Sequence, residues 1–212
     1  MATRRRQRRA ATLDHNAGLW AHIEPESSRL LLLSALDAFL ARGFHAATTR
    51  EIGERAGMSP AAVYVHYPSK SDMLAEICRR GHAEILGDLE DALQEPGTPT
   101  ERVRRFVSVF AAFHARRSTL GRVIQYELRG LDPEQFREIA QLRQRFEDLI
   151  RAELEAGIAA GEFAVDDVES TGVAILSLCI DVARWHGALR DRLSPGELGT
   201  LYADLVTKMI RA

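Results

Sequence analysis

The sequence predicts an all-α chain, with a small N-terminal helix-turn-helix unit followed by a larger helical body. Three observations predict it. Apolar residues recur at the 3.6-residue period along nearly the whole of the 212 residues. Sustained apolar/polar alternation is missing, and no Asn-Gly or Asp-Gly dipeptide marks a hairpin. Gly, Pro and capping Ser, Thr and Asp punctuate the period where helices should start and stop.

Residues 1–26 precede the first periodic run and carry five arginines within positions 4–9. They read as a basic, mostly disordered arm, with a short helical piece over 13–20 as an option. From Ser28, the residues Leu32, Ala35, Leu36 and Phe39 repeat at i, i+3, i+4, i+7, the stripe of a core-facing helix. Gly43 then serves as its terminating glycine. Thr48 and Glu51 spell an S/T-x-x-E capping box that opens a second helix, and Gly57 closes it after two turns. Ser59 caps a third helix with Pro60 at its first position, where the missing amide costs nothing. Pro68 stops that helix after Tyr67, and Ser69 with Asp72 starts a long fourth helix to about Leu93. Further helices are expected over 99–116, 118–129, 133–160, 166–187 and 195–211.

Charge is unevenly placed along this plan. Residues 1–80 hold 12 Lys/Arg against 8 Asp/Glu, and residues 81–212 hold 16 against 22, giving +4 and −6 within the overall −2. A basic front on an acidic body points to two tasks in one chain. Apolar runs such as Leu30 to Leu33 fall far short of the roughly 20 residues of a membrane span. The arginines of the arm are not followed by the apolar stretch of a secretory signal. Cys78 and Cys179 stand alone, so neither a disulfide framework nor a zinc site is indicated, and both read as reduced thiols of a cytoplasmic protein.

The informative stretch is residues 48–70. Two short helices meet at Gly57-Met58-Ser59, the length of the turn in a DNA-binding helix-turn-helix. Ile52 and Ala56 should face inward from the first, Val63 and Tyr67 from the second. Gly53 and Ala56 are small enough for close approach. The second helix then projects a narrow N-terminal face that fits a major groove.

Arg42-Gly43-Phe44, Thr48, Ile52, Ala56, Gly57, Ser59, Tyr64, His66, Tyr67 and Lys70 together resemble the pattern of the tetracycline-repressor (TetR) family of transcriptional regulators. Departures are Gly53 for Ala, Met58 for Val, Ala61 for Gly and Tyr67 for Phe. The resemblance covers residues 30–74. It implies a DNA-binding domain over 27–74 and an effector-binding and dimerisation domain over 75–212. It also implies phosphate contacts from Thr49, Tyr64, His66 and Lys70, the last of which also sits at a helix start that favours anions. Arg50 falls where a side chain reaches a base edge, and Pro60, Ala61 and Ala62 fall where thymine methyls are met. Thr48, Ser59 and Tyr67 frame that surface. On the residues alone, His66 also fits a surface histidine and Tyr64 a core position. The arginines of the arm fit either a solvated tail or a minor-groove contact.

In the body, Phe106, Phe110, Phe113, Ile124, Phe146, Leu149, Leu178 and Trp185 are candidate walls of an apolar cavity, although residues at such helical spacing are more often plain core. His114, Tyr126, Glu127, Arg145, Asp181 and His186 are candidates to orient a ligand there. No metal-ligand spacing appears, and no cofactor motif. The last two helices carry Val173, Leu176, Ile180, Leu198, Leu201, Leu205 and Met209 as a dimer face; the resemblance implies a four-helix bundle with a second copy. The segment from Tyr126 through Asp132-Pro133, with Arg184-Trp185-His186, resembles family members that sense fatty or steroid acyl thioesters. The expectation is a non-enzymatic regulator, a repressor. It binds a palindromic double-stranded operator as a homodimer and is released by a small, largely apolar effector. A helical enzyme and an architectural DNA-binding protein remain the alternatives. No nucleophile–base set or phosphate loop speaks for the first.

Overall fold

The computed structural model describes residues 19–186 and 193–211, and among them nine α-helices. The N-terminal end comprises α1 (Glu26–Ala46), α2 (Thr49–Ala56) and α3 (Pro60–His66), and α4 (Lys70–Gln94) leads into the body. There follow α5 (Pro99–Arg116), α6 (Ser118–Tyr126), a 3₁₀ turn at Leu128–Gly130, α7 (Pro133–Ala159), α8 (Val168–Trp185) and α9 (Pro195–Ile210). The periodicity is thus realised as helix throughout, and no helix among the described residues is long and apolar enough to cross a membrane.

Helix α1 buries its middle, Leu31 to Leu36 with Ala38 and Phe39, because it packs against α2, α4 and α6 together. Gly43 breaks its path at φ 75°, ψ 161°, a conformation open to glycine, and turns the chain toward α2. The arm expected over residues 1–26 needs correcting at its end. Residues 1–18 lie outside the described residues, but Leu19, Trp20 and Ile23 are buried in the core. Three large apolar side chains in five residues have enough surface to dock rather than trail.

In the body, α5 is the central helix and packs against α4, α7, α8 and α9. Thr98 and Glu101 close a full capping box at its start. The helix expected over 118–129 instead ends at Tyr126 and tightens into the 3₁₀ turn. Gly161, at φ 72°, reverses the chain after α7, and the Phe163 ring folds back into the space where a side chain on Gly157 would stand. Helix α8 begins later than expected, at Val168, because the Asp167 carboxylate accepts the Ser170 amide.

Candidate DNA-reading face and effector cavity

The helix-turn-helix is locked from below. Ile52, Gly53 and Val63 are buried between α2 and α3. A Cβ on Gly53 would stand 2.7 Å from Val63 Cγ2 and 3.2 Å from Met58 O. The glycine that departs from the family pattern is therefore what lets these helices meet this closely. Gly57 takes the left-handed conformation at φ 75°, and Met58 N donates to Gly53 O at 2.8 Å. Thr48 Oγ1 accepts the Glu51 amide. The reciprocal half of the expected box is not made, because the Glu51 carboxylate is held by Arg42 at 3.1 Å and Arg55 at 2.8 Å. Those guanidiniums, Arg55 first, hold the Glu51 carboxyl below its usual range. Ala56 and Tyr67 are half-buried on the inner side, and burial pushes the Tyr67 phenol up.

The outer side of α3 is bare. Ser59 caps it by accepting the Ala62 amide, with Pro60 at its first position. Ala61, Tyr64 and Val65, at i, i+3 and i+4, share one exposed face, where Tyr64 is 53% and Val65 82% exposed. Thr49 Oγ1 and Tyr64 Oη are 3.2 Å apart, which ties α2 to this face. Arg50 is exposed on α2, beside Glu54 at 3.0 Å. His66 is half-buried with Nδ1 3.0 Å from Ser28 Oγ, so it is anchored to α1. Val65 was missed by the sequence reading, although its i+4 relation to Ala61 was the available signal.

Lys70 corrects an expectation. Its ammonium donates to the carbonyls of Phe44 at 2.6 Å, His45 at 3.2 Å and Ala47 at 2.9 Å, and lies 4.4 Å from the Phe44 ring centroid. An ammonium has three N–H donors. With all three committed to the α1–α2 corner, Lys70 is a clamp behind the reading face rather than a phosphate ligand.

A cavity of about 40 Å³ opens in the body between α4, α5, α6, α7 and α8, lined in part by His82, Phe110, His114, Ile124, Arg143 and Phe146. One water needs roughly 10–15 Å³, so the space holds a few. Five of the expected ligand residues line it: Phe110, Phe113, His114, Ile124 and Phe146. The others go elsewhere. Phe106 is sealed in the core, Leu149 is packed against it, and Tyr126 is exposed. The Glu127 carboxylate accepts the Phe44 amide at 2.8 Å, Arg145 pairs with Glu90, and Asp181 pairs with Arg184 at 2.6 Å. Trp185 packs on the small cluster of Ala115, Val182 and Leu198, and His186 Nε2 donates to Leu193 O. Leu178 is exposed on the outer face of α8.

The sequence reading missed Gly81, His82 and Ile85 on α4, Gly121 and Gln125 on α6, Arg143 on α7 and Ile180 on α8. The Gly81-His82 interruption of an otherwise well-formed long helix was a usable signal. Burial favours the neutral form of both cavity histidines. Burial pushes His82 and His114 down to about 4, against bonds from each ring to the carbonyl four residues earlier. Among the described residues, no group of three or more metal-ligating side chains gathers here or elsewhere.

Helices α8 and α9 turn Val173, Leu178, Leu201, Leu205 and Met209 to solvent, each 43–52% exposed. Leu176 and Leu198, expected on the same face, are buried in the monomer.

Two family models cover most of the chain. "Bacterial regulatory proteins, tetR family" matches residues 31–77, and "Tetracyclin repressor-like, C-terminal domain" matches 96–210. The chain is 28% identical over 181 residues to the HTH-type transcriptional repressor KstR2 of Rhodococcus jostii (strain RHA1), covering 84% of each. A tetR-family regulatory protein from Rhodococcus RHA1 superposes with a TM-score of 0.83 at 34% identity, over 88% of this chain and 97% of that one. AibR, solved with isovaleryl coenzyme A and operator DNA, shares the fold with a TM-score of 0.76 at 20% identity, over 87% and 98%. A projecting α3, a cavity in the body and matches to both halves agree: the chain belongs to the TetR family of ligand-responsive transcriptional regulators.

Proposed function

We propose that the protein works in the cytoplasm as a homodimeric repressor of a palindromic operator, released by an acyl thioester whose apolar chain enters the cavity of the body. The observation that carries this reading is the bare face of α3, where Ala61, Tyr64 and Val65 stand outward on a helix fixed from behind by the buried Val63. Such a face offers thymine methyls apolar contact, and Arg50 beside it brings a guanidinium to a base edge. Thr49, Tyr64 and His66 supply phosphate contacts, with Ser59 at the helix start. A second copy meets the α8–α9 face, which sets two copies of α3 for successive major grooves.

The thioester rests on the likeness to AibR, whose structure holds isovaleryl coenzyme A, and on the apolar lining with Arg143 at its edge. The cavity, at about 40 Å³, holds less than an acyl chain occupies, so filling it spreads α4 and α6. Helix α4 starts at the Lys70 clamp and α6 ends at Glu127, which holds the Phe44 amide. Spreading therefore reaches the DNA-reading end directly and biases the dimer toward a spacing that no longer fits the operator. Titrating the palindrome upstream of the gene with purified protein, with and without isovaleryl or longer acyl coenzyme A, tests this. Specific, salt-sensitive binding weakened about 5–150-fold by the thioester is expected. Binding indifferent to every thioester removes the effector reading. Arg50→Ala is expected to cost about 1–3 kcal/mol on operator and little on random DNA. Equal losses on both would make Arg50 a phosphate contact.

A further inference from the structure

We infer that the effector's apolar body carries a hydroxyl, which donates to Nε2 of one of the two cavity imidazoles, His82 or His114. This rests on the reading of that cavity as the effector site. His82 Nδ1 lies 2.6 Å from Cys78 O, and His114 Nδ1 lies 2.8 Å from Phe110 O. A carbonyl oxygen can only accept, so each Nδ1 carries a proton. Burial keeps both rings neutral, and a neutral ring protonated at Nδ1 has a bare lone pair on Nε2.

Neither Nε2 has a hydrogen-bond partner among the described residues. Both rings are held in place by aromatic neighbours, His82 stacked on Phe146 at 5.7 Å and His114 edge-on to Phe110 at 4.6 Å. Phe110 and Phe146 themselves touch at 5.3 Å, so the four rings form one block along the cavity. The other side chains there are aliphatic or aromatic except Gln125 and Arg143, which are joined at 3.2 Å near the solvent side. The buried wall thus offers acceptors without donors, and the edge offers donors. A ligand that brings an O–H to one of these histidines satisfies that Nε2, and a second donor is needed to satisfy the other. A methylene leaves them bare, and a ketone or carboxylate sets lone pair against lone pair. Arg143, at the edge, suits the thioester carbonyl or a phosphate. The class that fits is a hydroxylated acyl thioester.

The test measures binding of the full-length protein to short- and medium-chain acyl coenzyme A thioesters in saturated, 3-oxo, and 2-, 3- and terminally hydroxylated series, by calorimetry. One hydroxylated series is expected to bind about tenfold or more tighter than its saturated and oxo counterparts, since sites that hydrogen-bond a hydroxyl discriminate strongly against its loss. In whichever of His82→Phe and His114→Phe removes the accepting ring, the ratio of hydroxylated to saturated affinity should fall to about one, and a ratio unchanged in both would overturn the inference. His114→Gln, whose Oε1 stands near the place of Nε2, should keep part of the advantage. Saturated or oxo thioesters that match every hydroxylated series would overturn the inference and leave the thioester reading standing. No binding by any series would remove both. Should the Phe variants not fold, the comparison on the wild-type protein decides alone.

Discussion

Lys70 shows how much one ammonium can organise when its donors are spent on backbone. Its three carbonyl partners lie in the last turn of α1 and the link to α2, so it fixes the angle at which the reading helices leave the core. Lys70→Met should therefore cost about 2 kcal/mol in urea unfolding. It should also leave the salt slope of operator binding unchanged, whereas loss of a phosphate contact would lower that slope by about 1. His82 and His114 set a second expectation at this scale. Their folded pKa, about 4, lies below the unfolded 6.5. Below pH 6.5 the unfolded chain takes up protons that the folded chain refuses. Stability is thus complete above about pH 6.5 and falls as pH drops toward 4, by about 2 kcal/mol per histidine at pH 5. Denaturant midpoints at pH 7 and 5 check this, and equal midpoints would show that the rings are not buried neutral in solution.

At the scale of elements, the joint between body and DNA-reading end is a polar seam at the end of α6. Glu127 holds the Phe44 amide. Gly130 lies so close to the Phe44 ring that a Cβ would strike it, and Ser71 Oγ at the start of α4 donates to Gly130 O at 3.0 Å. Because Ile124 and Gln125, on the same turn, line the cavity, a shift of α6 is passed to the Gly43 bend through a few residues. Glu127→Ala should leave effector-free operator affinity nearly unchanged and cut the release produced by effector about fivefold. Operator titrations with and without thioester separate the two quantities. The bend was legible in the sequence as a terminating Gly43; the seam was not, because Glu127 and Phe44 are 83 positions apart and no local pattern links them.

At the scale of the whole molecule, the surface proposed to meet a second copy is the outer face of α8 and α9. Leu205 is 52% exposed there, with Leu201 and Met209 on the same helix, while Ala203, Val206 and Ile210 hold α9 against the core. A charge at Leu205 should consequently break association without unfolding the protomer. Leu205→Arg is expected to sediment as a monomer with a native melting profile and to lose operator affinity about 100-fold or more, since two half-sites are then no longer read together. A dimeric Leu205→Arg protein would place the interface elsewhere.

Helix positions, their caps and the helix-turn-helix were determined by the sequence itself, because periodicity, proline and capping residues act within one or two turns. The tertiary structure alone decided what each helix face meets. Leu176 and Leu178 are two positions apart, yet one is core and the other solvent-facing. The Glu51 carboxylate left its capping role for Arg42, nine residues away. Lys70 turned from solvent to three carbonyls, and the cavity drew on α4, where the sequence offered no aromatic stripe. The physical reason is common to all of them: spacing fixes which side chains share a face, but only packing fixes which neighbour covers that face and which partner a charge finds there.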